Sequence, residues 1–107
     1  MSNALAKQFE ELAHQLRQLI ALLEESEDPF WISSLQRGLH QVDAHHLAGA
    51  TFVLGCYGGE NTFSDVTIGR QWQQSHPLKY QNANARLISL RNKIFTSADA
   101  IASRRHW

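Results

Sequence analysis

Apolar residues recur every three or four positions in separate stretches of the chain, and this spacing predicts amphipathic helices. In the first stretch the spacing is 4-3-4-3-4, over Leu5, Phe9, Leu12, Leu16, Leu19 and Leu23. These positions share one face of a helix. Pro29 is incompatible with a helix interior, so the first helix should end near Ser26.

A second helix is predicted to start at Asp28 and Pro29, because Asp caps helix N-termini and Pro suits the first helical position. Its apolar stripe is Trp31, Ile32, Leu35, Leu39 and Val42. Gly38 in its interior lowers helix propensity, which close packing against a neighbour would offset.

Asp43 resembles a second cap, and it predicts a third helix from about Ala44 to Tyr57. The main stripe of this helix is Leu47, Ala50, Leu54 and Tyr57. Its small residues, Ala48, Gly49 and Gly55, make it slim. We therefore expect a central, well-buried helix that its neighbours approach closely.

The last helix should begin at Pro77 and fray near Ser103. Its apolar stripe is Tyr80, Ala83, Leu87, Leu90, Ile94, Ala98 and Ile101. Its more polar face carries a basic residue every seven positions, at Lys79, Arg86 and Lys93. Together the four stretches predict an all-α bundle, a single helical domain over residues 1–107.

One long segment, residues 58–76, has no helical period and is predicted to be an ordered loop. Gly58 suits a left-handed helix stop. Short polar side chains from Asn61 to Asp65 can fix the loop through bonds to nearby backbone. The apolar residues Phe63, Val66 and Ile68 are predicted to anchor it to the helices.

Composition predicts a single domain without disulfides, because 107 residues can bury a core and Cys56 has no partner. No basic start followed by an apolar run marks a signal peptide. The longest apolar run, Leu19 to Leu23, is too short to span a bilayer. We expect a cytoplasmic protein with no membrane partner.

Charge is neutral in total but segregated along the chain. Residues 1–30 carry two basic and six acidic side chains, a net charge of −4; residues 31–65 carry −2, and residues 66–107 carry +6. Two interpretations stay open. The acids can pair internally with Arg86, Arg91 or Lys93, or the acidic half can face a basic partner.

No residue pattern spells out a reaction. His40, His45 and His46 lack the spacing of three or four that would place two metal ligands on one helix face. Cys56 lies at a helix C-terminus, where the helix dipole disfavours a thiolate. The Gly58-Gly59 loop lacks the order of a phosphate loop. We therefore expect no catalytic residue, no metal and no cofactor.

We expect no nucleic-acid partner. The last helix is basic, and helices that bind nucleic acid use Lys and Arg. However, the domain as a whole is neutral and its first half is acidic, which weakens attraction to phosphates.

The chain resembles a family of small bacterial helical domains of unknown function. The resemblance rests on the order Leu54-x-x-Tyr57-Gly58-Gly59-x-x-Thr62-Phe63-x-Asp65-Val66, followed by Leu87-x-x-Leu90-Arg91. In these domains the third helix is joined to the last by a loop that contains a Gly-Gly turn, a Ser or Thr, an apolar residue and an Asp. The resemblance covers about residues 16–98. It implies a compact, non-catalytic helical domain, and small bacterial domains of this size often act as immunity proteins against toxins.

The leading functional hypothesis is a non-catalytic protein-binding module, an immunity-type inhibitor that masks a toxin's basic active-site cleft through an acidic surface. The candidate residues are Glu24, Glu25, Glu27 and Asp28 at the first turn, with Glu60 and Asp65 on the loop. The alternative is a small ligand-binding domain or enzyme that uses the loop from Gly58-Gly59 to Asp65. A deep pocket with convergent polar groups beside Asp65 would favour that alternative.

Overall fold

The computed structural model describes residues 2–57 and 67–103. Four α-helices lie in these ranges: α1 (Ser2–Glu25), α2 (Ile32–Asp43), α3 (Leu47–Gly55) and α4 (Pro77–Ser103). Two short 3₁₀ helices accompany them, at Pro29–Trp31 and Arg70–Trp72. The described ranges contain no β-strand, and the predicted all-α bundle is confirmed.

The four helices pack as a ring in which each contacts the next in the chain and α4 returns to α1. Leu22 of α1 lies beside Ala83 of α4, whereas Lys7 lies near Ala100. These two long helices are therefore antiparallel. As a result, the C-terminal end of α1 and the N-terminal end of α4 meet at the same end of the bundle.

The core is centred on α1, which contributes Phe9, Leu12, Ala13, Leu16, Leu19, Ile20, Leu22 and Leu23. The opposite wall is α4, which buries Ala83, Leu87, Leu90, Ile94, Ala98 and Ile101. Each large apolar side chain in this set stabilises the fold by roughly 1.5–3 kcal/mol through its removal from water. The apolar spacing predicted most of both walls, although Leu5 and Tyr80 are only half-buried and the spacing missed the buried residues Ala13, Ile20 and Leu22.

The predictions for α3 were wrong in its bounds, in its cap and in its place as a central, well-buried helix, since only three of its nine residues are buried. The helix spans Leu47–Gly55 rather than 44–57, and it buries Gly49, Ala50 and Val53 while Leu47 is 38% exposed. Asp43 does not cap it but is the last residue of α2. The chain needs residues 44–46 to reverse direction, and this turn delays the start of α3.

Two glycines bring α2 and α3 close together. A Cβ built on Gly49 would lie 2.9 Å from the Val42 backbone nitrogen, and one built on Gly38 would lie 3.1 Å from the Val53 side chain. Real Cβ atoms avoid such distances to backbone atoms, so a side chain at residue 49 would push the two helices apart. The close packing expected at Gly38 is confirmed.

The chain that enters α4 is anchored at Ile68, which is 0% exposed. The Ile68 N–H donates to Asn84 Oδ1 at 2.9 Å, and Asn84 Nδ2 donates back to the Ile68 carbonyl at 2.9 Å. A side-chain amide thus satisfies both backbone groups of a buried residue. Ile68 confirms one predicted anchor; Phe63, Val66 and the predicted left-handed Gly58 lie outside the described residues.

Candidate protein-binding surface

The turn that ends α1 has a defined hydrogen-bonded geometry. The Asp28 N–H donates to the Leu23 carbonyl at 2.9 Å, and the Glu27 N–H donates to the Glu24 carbonyl at 3.1 Å. Glu27 has φ +56°, in the left-handed region where glycine is usual. This combination is a Schellman motif, and it holds the acidic residues on a fixed backbone.

A second set of hydrogen bonds ties this turn to the chain before α4. Asp28 Oδ2 accepts from the Gly69 N–H at 3.3 Å, and Gln71 Nε2 donates to the Ser26 carbonyl at 2.8 Å. The prediction that Asp28 and Pro29 start and cap the second α-helix was wrong: α2 begins at Ile32, after the 3₁₀ helix, and the Asp28 carboxylate is engaged across the fold. The turn is held from two sides.

The predicted acidic residues of the first turn come together in the structure. Glu24, Glu25 and Glu27 are exposed, whereas Asp28 is half-buried and faces Gly69. Glu60 and Asp65 lie outside the described residues. We define the acidic turn as Glu24, Glu25 and Glu27.

Sequence spacing missed the most exposed aromatic residue of the described chain. Phe30 is 81% exposed, and its ring meets Trp31 edge to face with centroids 5.4 Å apart. It lies three residues after Glu27, on the 3₁₀ helix that Pro29 begins. The sequence did contain a signal for this exposure. Phe30 lies just before the apolar stripe that starts at Trp31, and a residue outside the stripe faces solvent.

Internal pairing does not account for these acids among the described residues. The acidic turn makes no ion pair with any residue in the ranges 2–57 and 67–103; the pair that the structure shows there joins Arg17 and Asp43 at 2.6 Å. Both partners of that pair are substantially exposed, so it contributes at most about 1 kcal/mol.

Beside the acidic turn lies a surface depression of about 420 Å³, which we call the mixed-charge hollow. Its lining residues are Leu22, Glu25, Trp72, Lys79, Asn82, Ala83 and Arg86. Lys79 Nζ lies 4.2 Å from the centre of the Trp72 ring, within cation–π range. Glu25 therefore faces the same depression as two cations, although no ion pair joins them.

Two groups with potential chemistry lie at the end of α3 and are held protonated. Burial raises the pKa of the Cys56 thiol, and Cys56 Sγ lies 3.6 Å from the Phe52 carbonyl oxygen. Burial also raises the pKa of Tyr57, whose hydroxyl donates to the Arg91 carbonyl at 2.7 Å. A raised pKa does not favour either group as a nucleophile, because activation requires a lowered pKa or an adjacent base.

In residues 2–57 and 67–103, no three His, Cys, Asp or Glu side chains come together in a way that could hold a metal ion. Within the same ranges, no helix has both the length and the apolar content needed to cross a membrane. Comparisons with models of known protein families, with curated proteins and with solved structures found no match to this chain. The resemblance to small bacterial helical domains stays a prediction.

Proposed function

We propose that this protein is a non-catalytic binding module that recognises another protein through the acidic turn and Phe30. The observation that carries the proposal is the exposure of Phe30, 81%, three residues after an acidic turn whose carboxylates form no ion pair with a described residue. An exposed aromatic residue on a rigid turn loses little conformational entropy when a partner covers it. Aromatic residues, Phe among them, are enriched in the buried core of protein interfaces.

The chemistry of the surface defines the partner. Phe30 would fill an apolar pocket, while Glu24, Glu25 and Glu27 would face a rim of Lys and Arg. Opposite charge steers encounter and raises the association rate more than it lowers the dissociation rate. A toxin with a basic active-site cleft has this chemistry, so the most specific form of the proposal is an immunity-type inhibitor.

The experiment compares three immobilised baits: the native protein, Phe30→Ala and Ile88→Ala. Ile88 is a matched control, because it is an apolar residue 49% exposed on α4. Each bait is exposed to an extract of the source cells. We then identify and purify the proteins that bind the native and Ile88→Ala baits but do not bind Phe30→Ala. Phe30→Ala should weaken their binding by at least about 2 kcal/mol, or roughly thirtyfold.

The charge component is tested on the same purified pair. Neutralising the acidic turn as Glu24→Gln, Glu25→Gln and Glu27→Gln should slow association several-fold at low ionic strength, with a smaller effect at high salt. The proposal fails if Phe30→Ala and the native protein capture the same proteins with equal affinity. The toxin-inhibitor form fails separately if the identified partner has an acidic or neutral contact surface.

A further inference from the structure

The mixed-charge hollow has a negative wall and a positive wall. Glu25 comes from α1, whereas Lys79 and Arg86 come from α4, and none of the three forms an ion pair with another described residue. A partner of a single charge sign that entered the hollow, rather than covering only the acidic turn beside it, would be attracted to one wall and repelled by the other. The hollow therefore fits a surface that carries both signs in the reverse order.

A second copy of this chain has that surface. In a two-fold dimer, if residue i of one copy contacts residue j of the other, then j of the first also contacts i of the second. We propose that a second copy docks on the mixed-charge hollow, with Glu25 of each copy facing Arg86 of the other. The dimer would then neutralise charges that the single chain leaves exposed.

The same face also offers apolar area for this contact. Leu78 is 73% exposed, and it shares a face of α4 with Asn82 and Arg86, four and eight residues further on. Trp72 adds a half-buried ring within the hollow. Burial of Leu78 on both copies supplies affinity, while the charge pairs set the register of the two copies.

Dimer formation and the protein binding proposed above would share a residue. Glu25 belongs to both the acidic turn and the mixed-charge hollow, so a dimer covers part of the partner surface. Dilution would then release the surface for the other protein. The dimer proposal does not depend on that protein, because its test uses this chain alone.

The test is sedimentation equilibrium of the full chain at low and high salt, with charge-reversed variants. Native protein should self-associate at low salt with a dissociation constant below about 1 mM, and about 0.5 M NaCl should weaken it. Glu25→Arg and Arg86→Glu should each weaken self-association at least tenfold, because each places like charges opposite one another. An equimolar mixture of the two variants should restore dimers to within threefold of native affinity, because both pairs are then of opposite sign.

Two controls keep the result specific. Arg37→Glu reverses an exposed charge on α2 and should leave self-association unchanged. Far-UV circular dichroism verifies that each variant is folded. The proposal is overturned if native protein stays monomeric at about 1 mM and low salt. It is also overturned if either single variant dimerises like native protein, which would place the contact on another face, or if the mixture fails to restore dimers.

Discussion

The turns that end α1 and α2 share a backbone conformation but differ in what holds them. Glu27 and His45 both have positive φ, +56° and +59°, and each lies in a Schellman motif. His45 stacks its own ring on buried Phe9, with centroids 5.0 Å apart and planes 7° from parallel. The first turn is instead held by neighbours of Glu27, through Asp28 and Ser26.

In the second turn, the side chain of the left-handed residue packs against Phe9 of the core. In the first turn, it is exposed to solvent. At the second turn, the strained residue itself contributes a contact that offsets its conformation. At the first turn, the support comes from other residues, and the Glu27 side chain stays exposed. The Schellman motif accounts for the left-handed conformation at both turns, so that conformation alone does not mark a binding site. What distinguishes the first turn is that its exposed carboxylates form no ion pair with a described residue, which leaves them available to a partner.

The largest expected effect comes from removing the Asn84 side chain, which holds the segment that hydrogen-bonds to the first turn. Asn84→Ala leaves the N–H and carbonyl of buried Ile68 without their partners, and we expect a loss of about 3 kcal/mol in the free energy of unfolding. Hydrogen exchange at Gly69 and Asp28 should accelerate more than at His46. Asn82→Ala, an exposed change on the same helix, should stay within about 0.5 kcal/mol of native. Equal stability of both variants in urea would contradict this account.

The next effect is at Gly69, which donates to Asp28 from a left-handed conformation with φ +69°. A Cβ there would lie 2.6 Å from Trp72 Cε3, so Gly69→Ala would add ring displacement to backbone strain. We expect a loss of about 2 kcal/mol, measured by denaturant unfolding. A melting temperature equal to native would show that the first turn does not need this backbone conformation.

A smaller effect of opposite sign is expected at Glu27. Glu27→Gly relieves a left-handed conformation without removing a hydrogen bond or ion pair that the structure shows. The free energy of unfolding should rise by about 1 kcal/mol. A stability loss on thermal unfolding would mean that the Glu27 side chain contributes a contact of its own.

The smallest net effect is expected at His45. His45→Gly relieves the same backbone strain but removes the ring that stacks on Phe9, and these two terms are each about 1 kcal/mol. Stability should therefore stay within about 0.5 kcal/mol of native. If His45→Gly stabilised the protein as much as Glu27→Gly, the stacking would contribute nothing and the two turns would be equivalent.

Sequence periodicity predicted α1 and α4 well, because each carries a long apolar stripe that packs into the core. It failed for α3, where residues 47–55 are apolar nearly all round and no single face stands out. Burial there is decided by which neighbours pack against the helix. That information is not present in the spacing.

The two aspartates show why local sequence pattern described the surroundings of the acidic turn only in part. Asp28 and Asp43 both have the residue type and position of helix caps. Their observed partners, Gly69 and Arg17, lie 41 and 26 residues away along the chain. Local pattern located Glu24, Glu25 and Glu27 at the end of α1 because they are adjacent in sequence, and their role in binding stays a prediction. It could not show that Asp28 faces inward or that Glu25 meets Lys79 and Arg86 at one hollow.

The close approach of α2 and α3 at Gly49 has a consequence for recognising distant relatives of this chain. Leu, Ile and Met can replace one another along the apolar stripes, so those positions diverge with little trace. Gly49, Gly69 and Asn84 each meet a requirement that few other residues satisfy, and they lie twenty and fifteen residues apart. We expect this spaced triplet to outlast overall sequence identity, and it offers a signature by which diverged members of the same lineage can be found.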